Sequence, residues 1–283
     1  MIAGPATLPA LVPALLPGLA QPALPRRAFV EQVMGLPVSV HVRGPAAERA
    51  QVADAVGDLF TALHADDALF STWRPDSEVS RIARGELALA DASPRVRLVA
   101  TLCDEAVLVT GGAFDAWRAD DAGVRRFDPT GLVKGWSVEQ AAQALVARLP
   151  GHDVLVNAGG DVLVHCTRTD TPAWQVAVED PRDRRRTLLT LALRRGAVAT
   201  SGTAARGEHI VDPATGAAPV GLLSATVIGP TLTWADVQAT AAFVRGAAGY
   251  QAPPLHAAVL VATDGAVHTV TGPVPHPERT PAA

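Results

Sequence analysis

Apolar residues recur at helical spacing in four stretches of the chain. These stretches are 45–63, 93–109, 135–149 and Trp234–Arg245, and the polar residues between them fall on the opposite helical face. The second has a capping serine, Ser93, and a first-turn proline, Pro94, and it stops at Gly111-Gly112. The pattern therefore predicts four helices separated by stretches of a different period.

Between these helices the chain shows short apolar runs of strand character. One spans Phe29 to Val42 around Met34-Gly-Leu-Pro37, and a final hairpin is predicted to turn at Asp264-Gly265. Six more runs lie at Val154–Asn157, Val162–Cys166, Trp174–Glu179, Leu188–Leu193, Val198–Thr200 and Ala225–Ile228. Helices and strands neither alternate strictly nor segregate into blocks. The predicted class is α+β, a single compact domain with a mixed, largely antiparallel sheet and packed helices.

Both ends of the chain are rich in proline. Residues 1–27 are predicted to be a disordered leader, residues 28–272 the folded domain and residues 273–283 a disordered tail. The apolar leader has prolines at 5, 9, 13, 17, 22 and 25, which would break a spanning helix, so no transmembrane segment is predicted. No basic start precedes it and no lipid-accepting cysteine follows, which favours the cytoplasm slightly over export or membrane association.

Composition limits the classes of function. The 283 residues are 48% hydrophobic with a net charge of −4, which argues against a nucleic-acid-binding surface. The basic cluster of Arg182 and residues 184–186 is explained at least as well by a turn between strands. Cys103 and Cys166 lack metal or redox spacing and are expected to be small buried apolar residues.

The single lysine and the single asparagine each lie inside a glycine-bearing motif. Lys134 lies in Asp128-Pro-Thr-Gly-Leu-Val-Lys-Gly135, and Asn157 in Val156-Asn-Ala-Gly-Gly-Asp161. A helix N-terminus beside an ammonium is suited to an anion. Ordinary capping by Asp128 explains the first motif equally well, and a turn held by Asn157 explains the second.

Other glycine, carboxylate and hydroxyl motifs follow along the chain. They are Thr200-Ser-Gly202, Glu208 to Gly216 with His209 as a candidate base, and Thr233 to Thr240. Familiar nucleotide-binding loops, nucleophile elbows and zinc signatures are missing from the sequence. Each remaining motif alone is better explained as a turn or a cap.

Taken in order, these motifs resemble one family, the ApbE-type FAD:protein FMN transferases. The resemblance covers roughly Met34 to Gly265. It rests on the blocks Met34–Val38, Phe70–Ser80, Gly111–Asp115, Asp128–Gly135, Val156–Asp161, Thr200–Gly202, His209–Gly216 and Ala235–Thr240. The family attaches FMN from FAD through a phosphoester to a Ser or Thr hydroxyl of an acceptor protein and releases AMP.

The resemblance implies a set of site residues. Contacts to the substrate FAD would come from Met34, Trp73, Ala113, Phe114, Asp115, Asp128, Lys134 and Val211. Mg²⁺ would be held by the carbonyl of Gly131 and the side chains of Asp236 and Thr240. His209 would be the catalytic base, and Lys134 would supply positive charge near the phosphates. As plain sequence features, Trp73 and Phe114 are equally good core aromatics, and Asp236 equally suits a capping box with Thr233.

The sequence departs from the family pattern at three places. Ala239 stands where a hydroxyl or carboxylate is common, which would remove one metal ligand. Only 12 residues separate Asp115 from Asp128, and Ala116-Trp117 replaces the usual residues after Phe-Asp. Two further functions stay open: a Mg²⁺-dependent FAD pyrophosphatase giving FMN and AMP, and a non-catalytic FAD-binding protein.

Overall fold

The computed structural model describes residues 24–119, 123–203 and 210–273. Within these ranges the helices are α1 Ala50–Phe70, α2 Glu78–Ala83, α3 Pro94–Thr110, α4 Thr130–Arg148 and α5 Leu232–Gly249. The strands are β1 Arg26–Val33, β2 Leu36–Arg43, β3 Trp117–Ala119, β4 Arg125–Phe127, β5 Asp153–Ala158, β6 Asp161–His165, β7 Trp174–Asp180, β8 Asp183–Leu193, β9 Arg195–Gly202, β10 Leu222–Gly229, β11 Ala257–Ala262 and β12 Val267–Thr271.

The main sheet has eight strands in the order β1-β2-β5-β6-β9-β10-β11-β12. Each neighbouring pair in it is antiparallel. The hairpins β3–β4 and β7–β8 form two separate two-stranded sheets. The predicted α+β class with a largely antiparallel sheet is confirmed.

Helices α1, α4 and α5 cover one face of the main sheet. Alternate residues of β5, Val154, Val156 and Ala158, point into this interface and are fully buried. On α5, Ala235, Ala239 and Ala242 belong to the same cluster. These small residues let the helix lie close to the sheet, which is how α5 delivers its other face to the site described below.

The hairpin β7–β8 packs against the opposite face of the sheet. Val162 and Val164 of β6 and Val198 of β9 meet Trp174 and Val176 of β7 in a second apolar cluster. Since strand residues alternate between faces, β6 and β9 separate the helix layer from the hairpin layer. A third cluster joins α2, α3 and β4 to α4 around Phe127, Leu132 and Trp136.

The observed elements differ from the predicted ones mainly at their ends. Helix α4 begins at Thr130, five residues before the predicted start, with Pro129 at its N-cap position and a turn in which the Thr130 nitrogen donates to Asp128 Oδ1. Helix α3 has Ser93 at its N-cap position without a side-chain cap bond, and Gly111 ends it in the left-handed region at φ 59°. Helix α2 was not predicted, because six residues are too few to show a helical period.

Several other sequence predictions can be compared with this fold. Of the basic cluster, Arg182 lies in the predicted turn between β7 and β8, whereas residues 184–186 lie within strand β8. Cys103 is buried, and Cys166 is only partly buried with Arg43 Nη2 3.6 Å from its sulfur. The predicted leader and tail fall mostly on residues 1–23 and 274–283, outside the described residues, so these boundaries stay predictions. In the described part of the chain, no helix has the length and apolar character needed to cross a membrane.

Candidate functional site

A cavity of about 460 Å³ lies where the sheet, the hairpin β7–β8 and the helices α4 and α5 meet. Its apolar wall comes from the sheet and the hairpin, including Leu155, Val162, Val176 and Val198. Its polar end is built from Lys134, Asp161, Thr200, Asp236 and Thr240. A volume in this range with a few convergent polar groups is typical of a small-molecule site.

The first turn of α4 forms one edge of the cavity. Asp128 Oδ1 accepts hydrogen bonds from the Thr130 backbone nitrogen at 3.1 Å and from Thr130 Oγ1 at 2.6 Å. Asp128 thus holds the turn that leads into α4, although the N-cap position itself is Pro129, and the residue lines the cavity as well. A Cβ at Gly131 would lie 3.0 Å from the ring of Phe114, so a larger residue there would require this buried ring to shift.

Lys134 is the positive centre of the site. Its Nζ pairs with Asp161 Oδ2 at short range and lies 3.3 Å from Asp236 Oδ2. Asp161 is 2% exposed and Asp236 5% exposed. Because buried carboxylates need a compensating charge, the ammonium offsets the negative charge of this acidic pair.

The turn between β5 and β6 brings the backbone to the cavity. Asn157 Oδ1 accepts a hydrogen bond from the Gly160 nitrogen at 2.9 Å, which confirms that the single asparagine holds this turn. Gly159 has φ 62° and Gly160 φ 106°, conformations that favour glycine. Asp161 follows directly, so the turn fixes where its carboxylate enters the site.

Helix α5 is held at its start by a residue of α4. Glu139 Oε2 accepts hydrogen bonds from the Thr233 nitrogen at 2.9 Å and from Thr233 Oγ1 at 2.6 Å. The capping-box explanation of Asp236 is therefore wrong, since Thr233 is bound by Glu139 while Asp236 faces Lys134. The carboxylate of Glu139 fixes the helix that carries Asp236 to the helix that carries Lys134.

Asp236 and Thr240 lie one turn apart on α5 and both line the cavity. Thr240 Oγ1 is 3.2 Å from Ser201 Oγ at the end of β9. Ala239, by contrast, is fully buried in the core and belongs to the helix–sheet cluster. Position 239 thus faces the core in this fold, and alanine there removes nothing from the cavity wall.

The structure brings most of the expected site residues together. Those that line the cavity are Ala113, Phe114, Asp115, Gly131, Asp128, Lys134, Val211, Asp236 and Thr240. Phe114 is also only 5% exposed, so it is both a cavity-lining residue and a buried core aromatic. His209 lies outside the described residues.

Met34 and Trp73 are not among the lining residues. Trp73 is 94% exposed, so its interpretation as a core aromatic is wrong. Met34 has φ 54° in the β1–β2 turn, a left-handed conformation that costs a non-glycine residue about 1 kcal/mol. The start of β2, just after this turn, contacts the cavity wall, because the Gly159 nitrogen donates to the Pro37 oxygen at 3.1 Å.

The donor atoms at the polar end suit a hard cation. A carboxylate on Asp236, a hydroxyl on Thr240 and a carbonyl on Gly131 are oxygen donors of the kind that Mg²⁺ takes. No group of three or more His, Cys, Asp or Glu that could hold a metal occurs in the described ranges. An ion here would therefore complete its shell with water and substrate oxygens, as Mg²⁺ commonly does.

Sequence reasoning missed two buried acids of the site, Asp161 and Glu139. Asp161 stood inside the quoted glycine motif, and an acid at the start of an otherwise apolar strand was the available signal. Glu139 gave no signal, because one glutamate in a helix is ordinary until its partner from another helix is known.

Two pKa shifts lie close to this region. Burial raises the pKa of the Cys103 thiol to about 12, which makes it unreactive at neutral pH. Hydrogen bonds from the Arg182 side chain and backbone lower the pKa of Asp180, at the tip of the hairpin, to about 2. The hairpin tip thus keeps a charged Asp180 under all ordinary conditions.

The fold is a three-layer α+β arrangement with a polar cavity at the N-terminus of α4, and known proteins share features with it. The ApbE family model matches residues 117–253. A search of curated proteins found no matching sequence. The resemblance to the ApbE family predicted from the ordered motifs is confirmed.

Solved structures of ApbE proteins share the fold. The ApbE protein from Thermotoga maritima is 21% identical with a TM-score of 0.73, the match covering 87% of this chain and 97% of that one. Flavin transferase ApbE from Vibrio cholerae is 20% identical with a TM-score of 0.70, covering 89% and 98%. The apo flavinyl transferase ApbE from Pseudomonas stutzeri is 21% identical with a TM-score of 0.69, covering 89% and 96%.

Proposed function

We propose that this protein transfers FMN from FAD to a Ser or Thr hydroxyl of an acceptor protein, with release of AMP and dependence on Mg²⁺. The observation that carries the proposal is the convergence of separate motifs on one cavity. The segments 113–115, 128–134 and 236–240 are distant in sequence but line the same space. The ApbE match and the shared fold support the same activity.

The two ends of the cavity suit the two parts of FAD. The apolar wall between the sheet and the hairpin is fitted to an aromatic ring system, because Val162, Val176 and Val198 offer flat contact without charge. The polar end, with Lys134 and the first turn of α4, suits a pyrophosphate. The reacting phosphorus would then lie near Lys134.

The reaction balances as a phosphoryl transfer. The acceptor hydroxyl oxygen forms a bond to the phosphorus on the FMN side, and the bond from that phosphorus to the bridging oxygen breaks. AMP leaves with the bridging oxygen and its electron pair, and the hydroxyl proton passes to a base. Lys134 offsets the negative charge that collects on the phosphate oxygens and on the leaving group.

A bound Mg²⁺ would supply Lewis-acid charge to the phosphate oxygens. This chain would hold it with Asp236, Thr240 and the Gly131 carbonyl. The Glu139–Thr233 contact fixes the position of α5 relative to α4. It would therefore fix Asp236 and Thr240 of α5 relative to Lys134 of α4. His209 is proposed as the base on the strength of its motif.

The test combines FAD, Mg²⁺ and a candidate acceptor peptide containing Ser or Thr. Covalent FMN on the peptide is measured by mass spectrometry, and AMP by chromatography. The proposal expects equal amounts of AMP and covalent FMN, and only a small fraction of both products from Asp236→Asn. Asp104→Asn, an exposed acid on α3, is the matched control that should retain activity.

The outcomes separate the alternative functions. Free FMN in place of covalent FMN, with or without acceptor, would make the protein a pyrophosphatase in which water replaces the acceptor hydroxyl. Tight FAD binding without AMP release at any Mg²⁺ concentration would make it a binding protein. Either result would overturn the proposed transfer.

A further inference from the structure

We propose that Asp161 is a positioning residue that holds Lys134 and so leaves Asp236 available to a divalent cation. The inference rests on the metal assignment of the proposed function and adds a residue with a defined role to it. Asp161 is buried, lines the cavity and contacts Lys134 directly.

Asp161 is anchored to the sheet. Its Oδ1 accepts a hydrogen bond from the Thr200 nitrogen of the nearby strand β9 at 2.9 Å, and its Oδ2 accepts from Lys134 Nζ. Both carboxylate oxygens are thus engaged, one with the backbone and one with the ammonium. The carboxylate therefore has a fixed position that does not depend on α5.

The contact of Asp236 with the ammonium is longer than that of Asp161. Its Oδ2 lies 3.3 Å from Nζ, whereas Asp161 Oδ2 lies at short hydrogen-bonding distance. Asp236 is also the carboxylate proposed to take the cation, so the ammonium and a divalent ion compete for one group. Two positive charges in contact repel each other by several kcal/mol even with substantial screening. The ammonium and a divalent cation therefore cannot both contact the Asp236 carboxylate closely.

Asp161 reduces this competition because it gives the ammonium a second carboxylate partner. When a cation binds Asp236, Lys134 keeps a buried partner and stays in the cavity. Without the Asp161 charge, Lys134 would lose this buried partner and would compete more strongly with the cation for Asp236. Asp161→Asn should then weaken cation binding by about tenfold, or 1.4 kcal/mol, within the usual range of coupling between contacting residues.

The test is a double-mutant cycle read out by Mn²⁺ binding to the FAD-free protein, measured by electron paramagnetic resonance with Mg²⁺ as competitor. The four proteins are wild type, Asp161→Asn, Lys134→Met and the double variant. The inference expects weaker binding for Asp161→Asn, tighter binding for Lys134→Met, and little further effect of Asp161→Asn once Lys134 is replaced. Asp54→Asn, an exposed acid on α1, controls for a general loss of negative charge.

Equal weakening by Asp161→Asn in both backgrounds would overturn the inference, because Asp161 would then act only through its own charge. Absence of Mn²⁺ binding by the wild type would overturn it together with the metal assignment. Melting curves verify folding, and Asp161→Ser replaces Asp161→Asn if the amide proves unstable. FMN transfer is assayed separately. Normal transfer without the expected coupling between Asp161 and Lys134 would refute the role of Asp161 alone. The expected coupling without any transfer would refute the proposed function alone.

Discussion

At the scale of single residues, Lys134 carries the electrostatics of the cavity. Its side chain is 20% exposed and faces Asp161 and Asp236, whose side chains are 3% and 7% exposed. An ammonium enclosed by two acids is a compact point charge, a role that the broad guanidinium of arginine fills poorly. This explains physically why a lysine stands here in a chain whose other basic residues are arginines.

Replacing Lys134 by alanine should destabilise the metal-free protein. The change leaves two buried carboxylates without their countercharge, and breaking a buried pair costs about 3–5 kcal/mol. We expect a lower melting temperature by circular dichroism, partly restored by millimolar Mg²⁺, and loss of FMN transfer. Arg148→Ala, at the exposed far end of α4, should melt nearly as wild type does. An unchanged melting temperature and normal transfer in Lys134→Ala would remove the lysine from the site.

The histidine proposed as base gives a pH prediction. A base must be neutral to take a proton, so transfer should fall as pH drops through the histidine pKa, ordinarily about 6.5. His209→Ala should lower the transfer rate by on the order of 10²-fold while FAD binding is kept. The rate is measured from AMP release at several pH values, with the exposed His268→Ala as control. A wild-type pH profile in His209→Ala would show that another group is the base.

At the scale of elements, α5 carries the proposed metal ligands and is fixed by Glu139. Asp236→Asn keeps the shape of the side chain and removes the charge that a hard cation requires. We expect loss of most transfer, with partial recovery at high Mg²⁺ or Mn²⁺, and a shift of the metal requirement to higher concentration. Thr240→Val should act in the same direction but more mildly, because it removes a neutral ligand. Full activity of Asp236→Asn at low Mg²⁺ would contradict the metal assignment.

The hairpin β7–β8 gives a second prediction at this scale. Arg182 lowers the folded-state pKa of Asp180 to about 2, below the ordinary value of about 3.9. A lowered folded pKa adds stability that is complete above the unfolded pKa and is lost as pH falls through the folded one. Melting temperatures of wild type and Asp180→Asn should therefore differ above about pH 4 and converge towards about pH 2. A difference that stays constant down to pH 2 would mean that the carboxylate charge contributes nothing.

Sequence patterns predicted the elements well where they are long. Helices α3 and α5 and the hairpin at Asp264-Gly265 show clear periods and turn residues, and all were found. Short α2 and the hairpin β3–β4 left too little pattern. The Lys134–Asp161 and Glu139–Thr233 pairs join residues 27 and 94 positions apart, and local periodicity contains no information about such contacts.

At the scale of the whole molecule, the cavity lies between the main sheet and the hairpin β7–β8, which are joined by apolar packing and by a hydrogen bond from Arg182 Nη1 to the Gly265 oxygen. The hairpin β7–β8 has no strand pairing with the main sheet and rests on it through an apolar cluster. The cavity therefore borders an interface that has no strand-to-strand hydrogen bonding. Separating the hairpin from the sheet there requires less free energy than separating two paired strands. A ligand in contact with both sides would join the hairpin to the sheet and to α4.

Binding of FAD should thus slow amide hydrogen exchange in the hairpin as well as near Lys134. Val176 and Val178 line the cavity from β7, while Leu155 and Val198 face it from the main sheet. A ligand present at 100 times its dissociation constant stabilises the folded state by about 2.7 kcal/mol, enough to slow exchange through local opening measurably. Hydrogen exchange with mass spectrometry, with and without FAD, should show protection in 174–193 and 128–135. No protection is expected in α1, which lies away from the cavity and serves as the internal control.

AMP alone should protect the α4 segment more than the hairpin, because it has a phosphate but no flavin ring. Protection confined to α1 or α3 would place the flavin elsewhere and contradict the assignment of the apolar wall.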